Sequence, residues 1–129
     1  MPRVTITKQA PPGPFVTLQP AANSLDLTQL AADVTNKEQF VPSGDDLVIA
    51  HNSGASPYTI TFTSAADPDT KRTGDITAYS IGAGELAIFR FKSQKGWMQT
   101  DGRVYLEASN VAVKWSVLQL ACPPCQRVR

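Results

Sequence analysis

Hydrophobic and polar residues alternate along most of the chain beyond residue 40. The clearest run is residues 58–63, YTITFT, in which Tyr58, Ile60 and Phe62 share one face and three threonines share the other. A period of two is typical of a strand with one buried face. A second alternating run covers residues 111–120 and places four residues on its predicted buried face: Val111, Val113, Trp115 and Val117.

Turn signals separate these runs at regular intervals. Residues 47–52, LVIAHN, begin apolar on both faces, as a strand in a sandwich core would. Residues 82–85, GAGE, predict a tight turn, and Asp101-Gly102 predicts a hairpin turn before a further strand, with a short strand over residues 96–99. Seven to nine short strands at this spacing predict an all-β, single-domain fold, an antiparallel β-sandwich or a jelly-roll-like barrel.

The two ends of the chain differ from this β-pattern. Residues 11–14, PPGP, exclude a helix and favour an extended path. We therefore predict an extended N-terminal arm over residues 1–14, a β-domain over 15–120 and a tail over 121–129. The arm either lies on a neighbouring subunit or is an ordinary frayed terminus. Residues 23–34 fit a short helix capped by Asn23 or Ser24, or a strand; we favour a strand over 25–28.

Composition narrows the possible partners. The 129 residues are 42% hydrophobic and 18% charged, with a formal net charge of +1. Phosphate binding requires a basic face, so we predict no nucleic-acid partner. No apolar run approaches the ~20 residues of a membrane-spanning helix, and the first ten residues lack the apolar centre of a signal peptide. We therefore expect no membrane partner, and an address in the cytoplasm of the producing cell or in a particle assembled there.

Candidate catalytic and metal-binding groups are sparse. His51 has no nucleophile motif beside it, and we interpret it as a structural or surface residue. Asp67, Asp69 and Asp75 have oxygens suited to calcium but not the spacing of a calcium loop, and we predict a solvated loop with local ion pairs. We accordingly predict a protein that is not an enzyme, with no cofactor and no bound metal.

The tail CPPC places Cys122 and Cys125 at the spacing of a redox pair or half a zinc site. A zinc site needs about four ligands. We interpret the tail as exposed, with incidental thiols; the alternative is a metal or disulfide shared between subunits.

Several short motifs together resemble a group of small tailed-bacteriophage virion proteins. The shared features are a Gly-Asp start to an apolar strand, a threonine-rich strand, a Gly-Ala-Gly turn, an Asp-Gly-x-Val strand and an apolar last strand. They fall at residues 44–52, 59–62, 81–85, 101–106 and 111–120. The N-terminal arm and the CPPC tail are not part of that pattern.

The resemblance implies a capsid decoration or cement protein that binds the outside of an assembled shell. The implied partners are the major capsid protein and the chain itself, as a homotrimer, and the implied location is the capsid surface of a virion. We expect the contacts in the arm, in the loop of residues 65–73 and at Trp97, the aromatic residue with the most polar neighbours. The candidate contact residues are Arg3, Val4, Ile6, Pro12, Phe15, Lys71, Arg72 and Trp97. The alternative function is a carbohydrate- or receptor-binding β-module of a phage tail or fibre, using Trp97.

Overall fold

Nine β-strands make up the regular secondary structure of the described part of the chain. The computed structural model describes residues 2–10, 26–67, 69–71, 73–91 and 95–120, and these residues contain no helix. The strands are β1 (Val4–Thr5), β2 (Leu30–Ala31), β3 (Glu38–Phe40), β4 (Asp46–Asn52), β5 (Tyr58–Thr63), β6 (Ile76–Ile81), β7 (Leu86–Phe91), β8 (Val104–Ala108) and β9 (Val113–Gln119).

The strand pairing is that of one long hairpin rolled into two sheets. β2 pairs with β9, β3 with β8, β4 with β7 and β5 with β6, all antiparallel. Further pairs, β4 with β9 and β5 with β8, complete sheet A, in the order β1-β3-β8-β5-β6, and sheet B, in the order β2-β9-β4-β7. Two facing sheets with this order form a jelly roll. The predicted all-β sandwich is confirmed.

The core between the sheets is built on aromatic side chains. The ring of Phe62 in β5 lies 4.7 Å from Phe89, 5.4 Å from Phe91 and 5.9 Å from Trp115, each in an edge-to-face arrangement. Phe62 and Trp115 are both fully buried. Because β5 belongs to sheet A and the other three rings to sheet B, this one side chain joins the two sheets. The inward parity predicted for β5 is therefore confirmed.

The turn of residues 82–85 carries the chain from one sheet to the other. β6 lies in sheet A and β7 in sheet B. Gly84 has a φ of +76° and donates its N–H to the carbonyl of Asn52, a conformation that glycine adopts without steric cost. The buried Asn52 side chain donates to the carbonyls of Ser56 and Ile81 at 2.8 and 2.9 Å. This amide thus fastens the end of β4 to the end of β6.

The N-terminal segment belongs to the sandwich over the residues that the structure describes. β1 pairs in parallel with β3 at the edge of sheet A. Ile6 is buried in the core, and Gln9 pairs with Leu118 beside sheet B. Over residues 3–9 the predicted arm therefore packs on its own chain, where it connects the edge of sheet A to sheet B. Residues 11–14, and the tail of residues 121–129 with both cysteines, lie outside the described residues.

Three local predictions were wrong in position. Of the strand predicted over residues 25–28, the described residues 26–28 are not a strand; β2 begins at Leu30. Residues 95–97 form a turn, and only Met98 pairs, in an isolated bridge to Val104. Val111 is 60% exposed because residues 109–112 form a turn, held by the Asn110 side chain, and β9 begins two residues later.

Candidate interaction surface

The outward face of sheet B is largely apolar. Residues directly opposite each other form three rows from β9 through β4 to β7: Lys114, His51 and Leu86; Ser116, Ile49 and Ile88; and Leu118, Leu47 and Arg90. Leu86 and Ile88 are 55% and 63% exposed, and the other three aliphatic residues are half-buried. We call Leu47, Ile49, Leu86, Ile88 and Leu118 the sheet-B face. An outward sheet face is ordinarily polar, and a contiguous exposed apolar patch marks an interaction site.

The outward face of sheet A has the ordinary polar character. Its residues are Gln39, Thr59, Thr61, Thr63, Tyr105 and Glu107. Lys37 lies 3.3 Å from Glu107, and the Arg3 guanidinium lies 4.1 Å from the centre of the Tyr105 ring. Over the residues that the structure describes, the outer surface of sheet A is therefore polar, whereas that of sheet B has the apolar composition of a docking surface.

One side of the sheet-B face is covered by the chain itself. Residues 26–29 cross the outside of β9, where the Ser116 hydroxyl donates to the Thr28 carbonyl at 2.9 Å. The Gln9 side chain holds this crossing segment by donating to the Asp26 carbonyl and accepting from the Thr28 N–H. Gln29 Nε2 lies 3.4 Å from His51 Nδ1. The opposite side, at β7, is the more exposed one.

β7 is an edge strand, and the direction of its backbone groups follows from the register. The Asn52 N–H donates to the Glu85 carbonyl at 3.0 Å, and the same register pairs Ala50 with Ala87. Hydrogen-bonded pairs alternate along antiparallel strands. The N–H and C=O groups of Leu86, Ile88 and Arg90 therefore point away from β4, toward an edge that no described strand covers.

The N-terminal candidates lie together, but mostly in intramolecular contacts. Arg3 donates to the carbonyls of Glu38 and Leu106 at 3.0 and 3.2 Å. Val4 is half-buried, and Ile6 is 3% exposed and part of the core. A cleft of about 180 Å³, lined in part by Val4, Ile6 and Trp115, opens between β1 and β2. Ile6 is not a surface contact of the folded chain, because the gap between the sheet edges buries it.

The remaining candidates are not brought together with this segment. Lys71 is exposed, has a φ of 62° and donates its backbone N–H to Asp67. Trp97 is half-buried, with its ring 5.5 Å from that of Phe91. Its polar neighbours in sequence therefore do not make it an open binding platform, since the end of the aromatic core covers it. Pro12, Phe15 and Arg72 lie outside the described residues.

The acidic loop is organised by local hydrogen bonds. Asp67 accepts from the N–H groups of Asp69 and Thr70, and Asp75 accepts from Ser64. These bonds hold the pKa values of Asp67 and Asp75 below the usual range. Asp69 pairs with Lys95 at 2.8 Å. Among the described residues no three metal-ligating side chains are grouped as a metal site would require.

Glu38 has a fully buried carboxylate that lies between the sheets. It accepts from the Trp115 indole N–H at 2.9 Å and from the Asp33 backbone N–H. Burial raises the pKa of Glu38 above its ordinary value, and the two hydrogen bonds partly oppose that shift. This carboxylate therefore fixes the indole of Trp115, which lines the cleft. The sequence did not predict that Glu38 is buried, because β3 is too short to show an alternating pattern and a glutamate is ordinarily a surface residue.

The raised pKa of Glu38 makes its contribution to stability depend on pH. The folded protein binds this proton more tightly than the unfolded chain, so the contribution is complete below about pH 4.5 and is lost as pH rises through the folded pKa. The unfolding free energy of the wild type, minus that of Glu38→Gln, should therefore fall as the pH rises above about 4.5. Urea titrations of both proteins measure this difference. A difference that grows with pH would contradict the assignment.

Comparison with known proteins gave no match for this chain: no family model fits it, and neither a curated protein nor a solved structure is significantly similar to it. The described part of the chain contains no helix of the length and hydropathy needed to cross a membrane.

Proposed function

We propose that this chain is a structural virion protein that binds the outside of an assembled bacteriophage capsid through the sheet-B face and stabilises the shell. The main support for this proposal is that the outer surface of sheet B is apolar, whereas that of sheet A is polar. Leu86 and Ile88 are more than half exposed, and Ile49 and Leu47 extend the patch inward. When a partner covers such a patch, the burial of its apolar surface contributes about 25 cal/mol of binding free energy per Å². Left in water, the patch makes no such contribution.

Two further considerations support this function over others. The strand and turn motifs of residues 44–120 resemble those of small phage virion proteins, as described above. The jelly-roll strand order also occurs in capsid proteins, although it occurs in lectins as well, so the fold supports the proposal by analogy alone.

The proposed mechanism is linkage between binding and assembly. A protein that binds the assembled lattice more tightly than free subunits shifts the equilibrium toward the shell by mass action. The surface requires shape and apolar area, and it requires no reactive group. The turn of residues 82–85 contributes by holding Leu86 at the rim, because Gly84 and Asn52 fix the start of β7.

Replacing Leu86 by Asp should weaken capsid binding by at least about tenfold, since the substitution buries a carboxylate against the apolar partner surface. The measurement is co-sedimentation of purified protein with empty capsids of the phage that encodes it, titrated to saturation. The wild type should saturate at hundreds of copies per shell.

Thr77→Asp is the matched control, because it adds the same charge at an exposed position on the other sheet. This variant should bind as the wild type does, and circular dichroism should show both variants folded. Equal capsid affinity for Leu86→Asp and wild type would remove the sheet-B face from the proposal. No affinity of the wild-type protein for capsids would remove the proposal itself.

A carbohydrate- or receptor-binding module is the second candidate, and one observation favours it. Tyr79 is 49% exposed and lines an open groove of about 360 Å³ with Ser80 and Glu85. An aromatic face beside polar groups suits a sugar ring. Binding on a glycan array without capsid affinity, lost on Tyr79→Ala, would select this candidate.

A further inference from the structure

We propose that the free edge of β7 pairs with β7 of a second copy across a two-fold axis, joining two copies of sheet B into one continuous sheet. This inference concerns the strand edge and holds whether or not the sheet-B face binds a capsid. It also differs from the trimer that the resemblance implies.

The free edge of β7 has the length, regularity and apolar centre that favour pairing with a further strand. β7 is six residues long, and the backbone groups of Leu86, Ile88 and Arg90 point outward from it. Edges that must stay single are commonly shortened, bulged or charged at their centre. β7 instead has Ile88 at its centre, 63% exposed, and its register with β4 is uninterrupted from Leu86 to Phe91.

The other long edge provides a contrast within the same molecule. β6, at the end of sheet A, has a register shift between its pairs with Ile60 and Phe62, and Ala78 has a positive φ of 53°. A bulge of this kind twists an edge away from further pairing. The regular β7 edge and the irregular β6 edge lie on the same flank, so a second copy has one suitable strand there.

A second copy fits this edge better than an unrelated strand because β7 is self-complementary when antiparallel. Centring the pair on Ile88 opposes Ile88 to Ile88 and each Leu86 to the Arg90 of the other copy. The outward groups of these three residues then exchange six hydrogen bonds. Glu85 directly precedes the strand and Arg90 is its fifth residue, so each end of an antiparallel pair carries one acidic and one basic side chain.

The register makes two neighbouring substitutions behave differently. Ile88→Asp opposes two carboxylates at the centre of the pair, and like charges directly opposite are destabilising. Leu86→Asp instead opposes a carboxylate to Arg90 of the other copy. We expect Ile88→Asp to weaken self-association by at least about tenfold and Leu86→Asp to stay within about threefold of the wild type.

Sedimentation equilibrium over a concentration series measures these constants without any capsid. The wild type should change from the 13.9 kDa chain to a species of twice that mass. A wild type that remains monomeric at about 100 µM, a trimer, or equal weakening by the two variants would each overturn the proposal. Failure of capsid binding alone would leave it intact.

A covalent trap tests the register directly. In a Cys122→Ser, Cys125→Ser background, Ile88→Cys should form a disulfide-linked dimer on mild oxidation, since opposed Cα atoms in such a pair lie about 5.5 Å apart. Thr77→Cys, on β6, is the control and should remain monomeric. Crosslinking of Thr77→Cys to the same extent would show random collision and would contradict the two-fold pairing.

Discussion

Replacing Phe62 by Ala should lower the free energy of unfolding by about 3–5 kcal/mol, which is the range for emptying a fully buried aromatic site. Phe62 contacts three rings of the opposite sheet, those of Phe89, Phe91 and Trp115. Its removal leaves a cavity where the two sheets meet, and rigid strands on both sides limit collapse. Because small domains are stable by about 5–15 kcal/mol, the variant should be close to unfolding. Urea titration followed by tryptophan fluorescence measures the change.

Thr59→Ala is the control for Phe62→Ala, because it lies three residues earlier on the same strand with its side chain on the polar outer face. Its loss should change stability by less than about 1 kcal/mol. If the two variants lost similar stability, Phe62 would not be the link between the sheets.

Replacing Asp46 by Ala should lower the unfolding free energy by about 3 kcal/mol, as expected when one partner of a buried polar cluster is removed. Asp46 has no exposed surface and accepts from the N–H and hydroxyl of Ser43 at 2.8 and 2.6 Å. Lys8 Nζ lies 3.5 Å away. The carboxylate therefore joins the turn before β4 to the N-terminal segment, and both should loosen in the variant.

The neighbouring Asp45 gives a control with the same side chain in a more exposed position. Its carboxylate forms a two-point contact with Arg90 at 2.8–2.9 Å on the protein surface. Ion pairs in such settings contribute little because water screens them. Asp45→Ala should therefore be much less destabilising than Asp46→Ala in the same urea titration. Hydrogen exchange of residues 4–9 should accelerate only in Asp46→Ala, and protection equal to wild type would contradict the joining role.

Strand positions and core parity were largely predictable from the sequence, because local alternation records which side of a strand meets the core. β5 illustrates this: Ile60 and Phe62 are buried, as their spacing predicted, and the threonines are outward. Trp115 and Val117 follow the same rule in β9. The glycines of residues 82–85 also predicted a turn that the structure contains.

The candidate site was much less predictable. Leu47 and Ile49 were read as one apolar face of a strand buried on both sides, but their side chains form an outer surface. A run of apolar residues has the same sequence whether a second layer or an external partner covers it. Trp97 shows the opposite error: its polar neighbours in sequence predicted an exposed ring, but the ring is half-buried against Phe91. That contact is made by the folded chain and leaves no pattern in the local sequence.

The sequence by itself determined the all-β class, the turn of residues 82–85 and the inward residues of β5, since each follows from a pattern within a few residues. Only the tertiary structure decided the rest: the parallel pairing of β1 with β3, the buried positions of Glu38 and Asp46, and the apolar outer face beside a free edge. These features depend on pairs far apart along the chain. Their pairing is selected by the closure of the whole sandwich, and no local period records it.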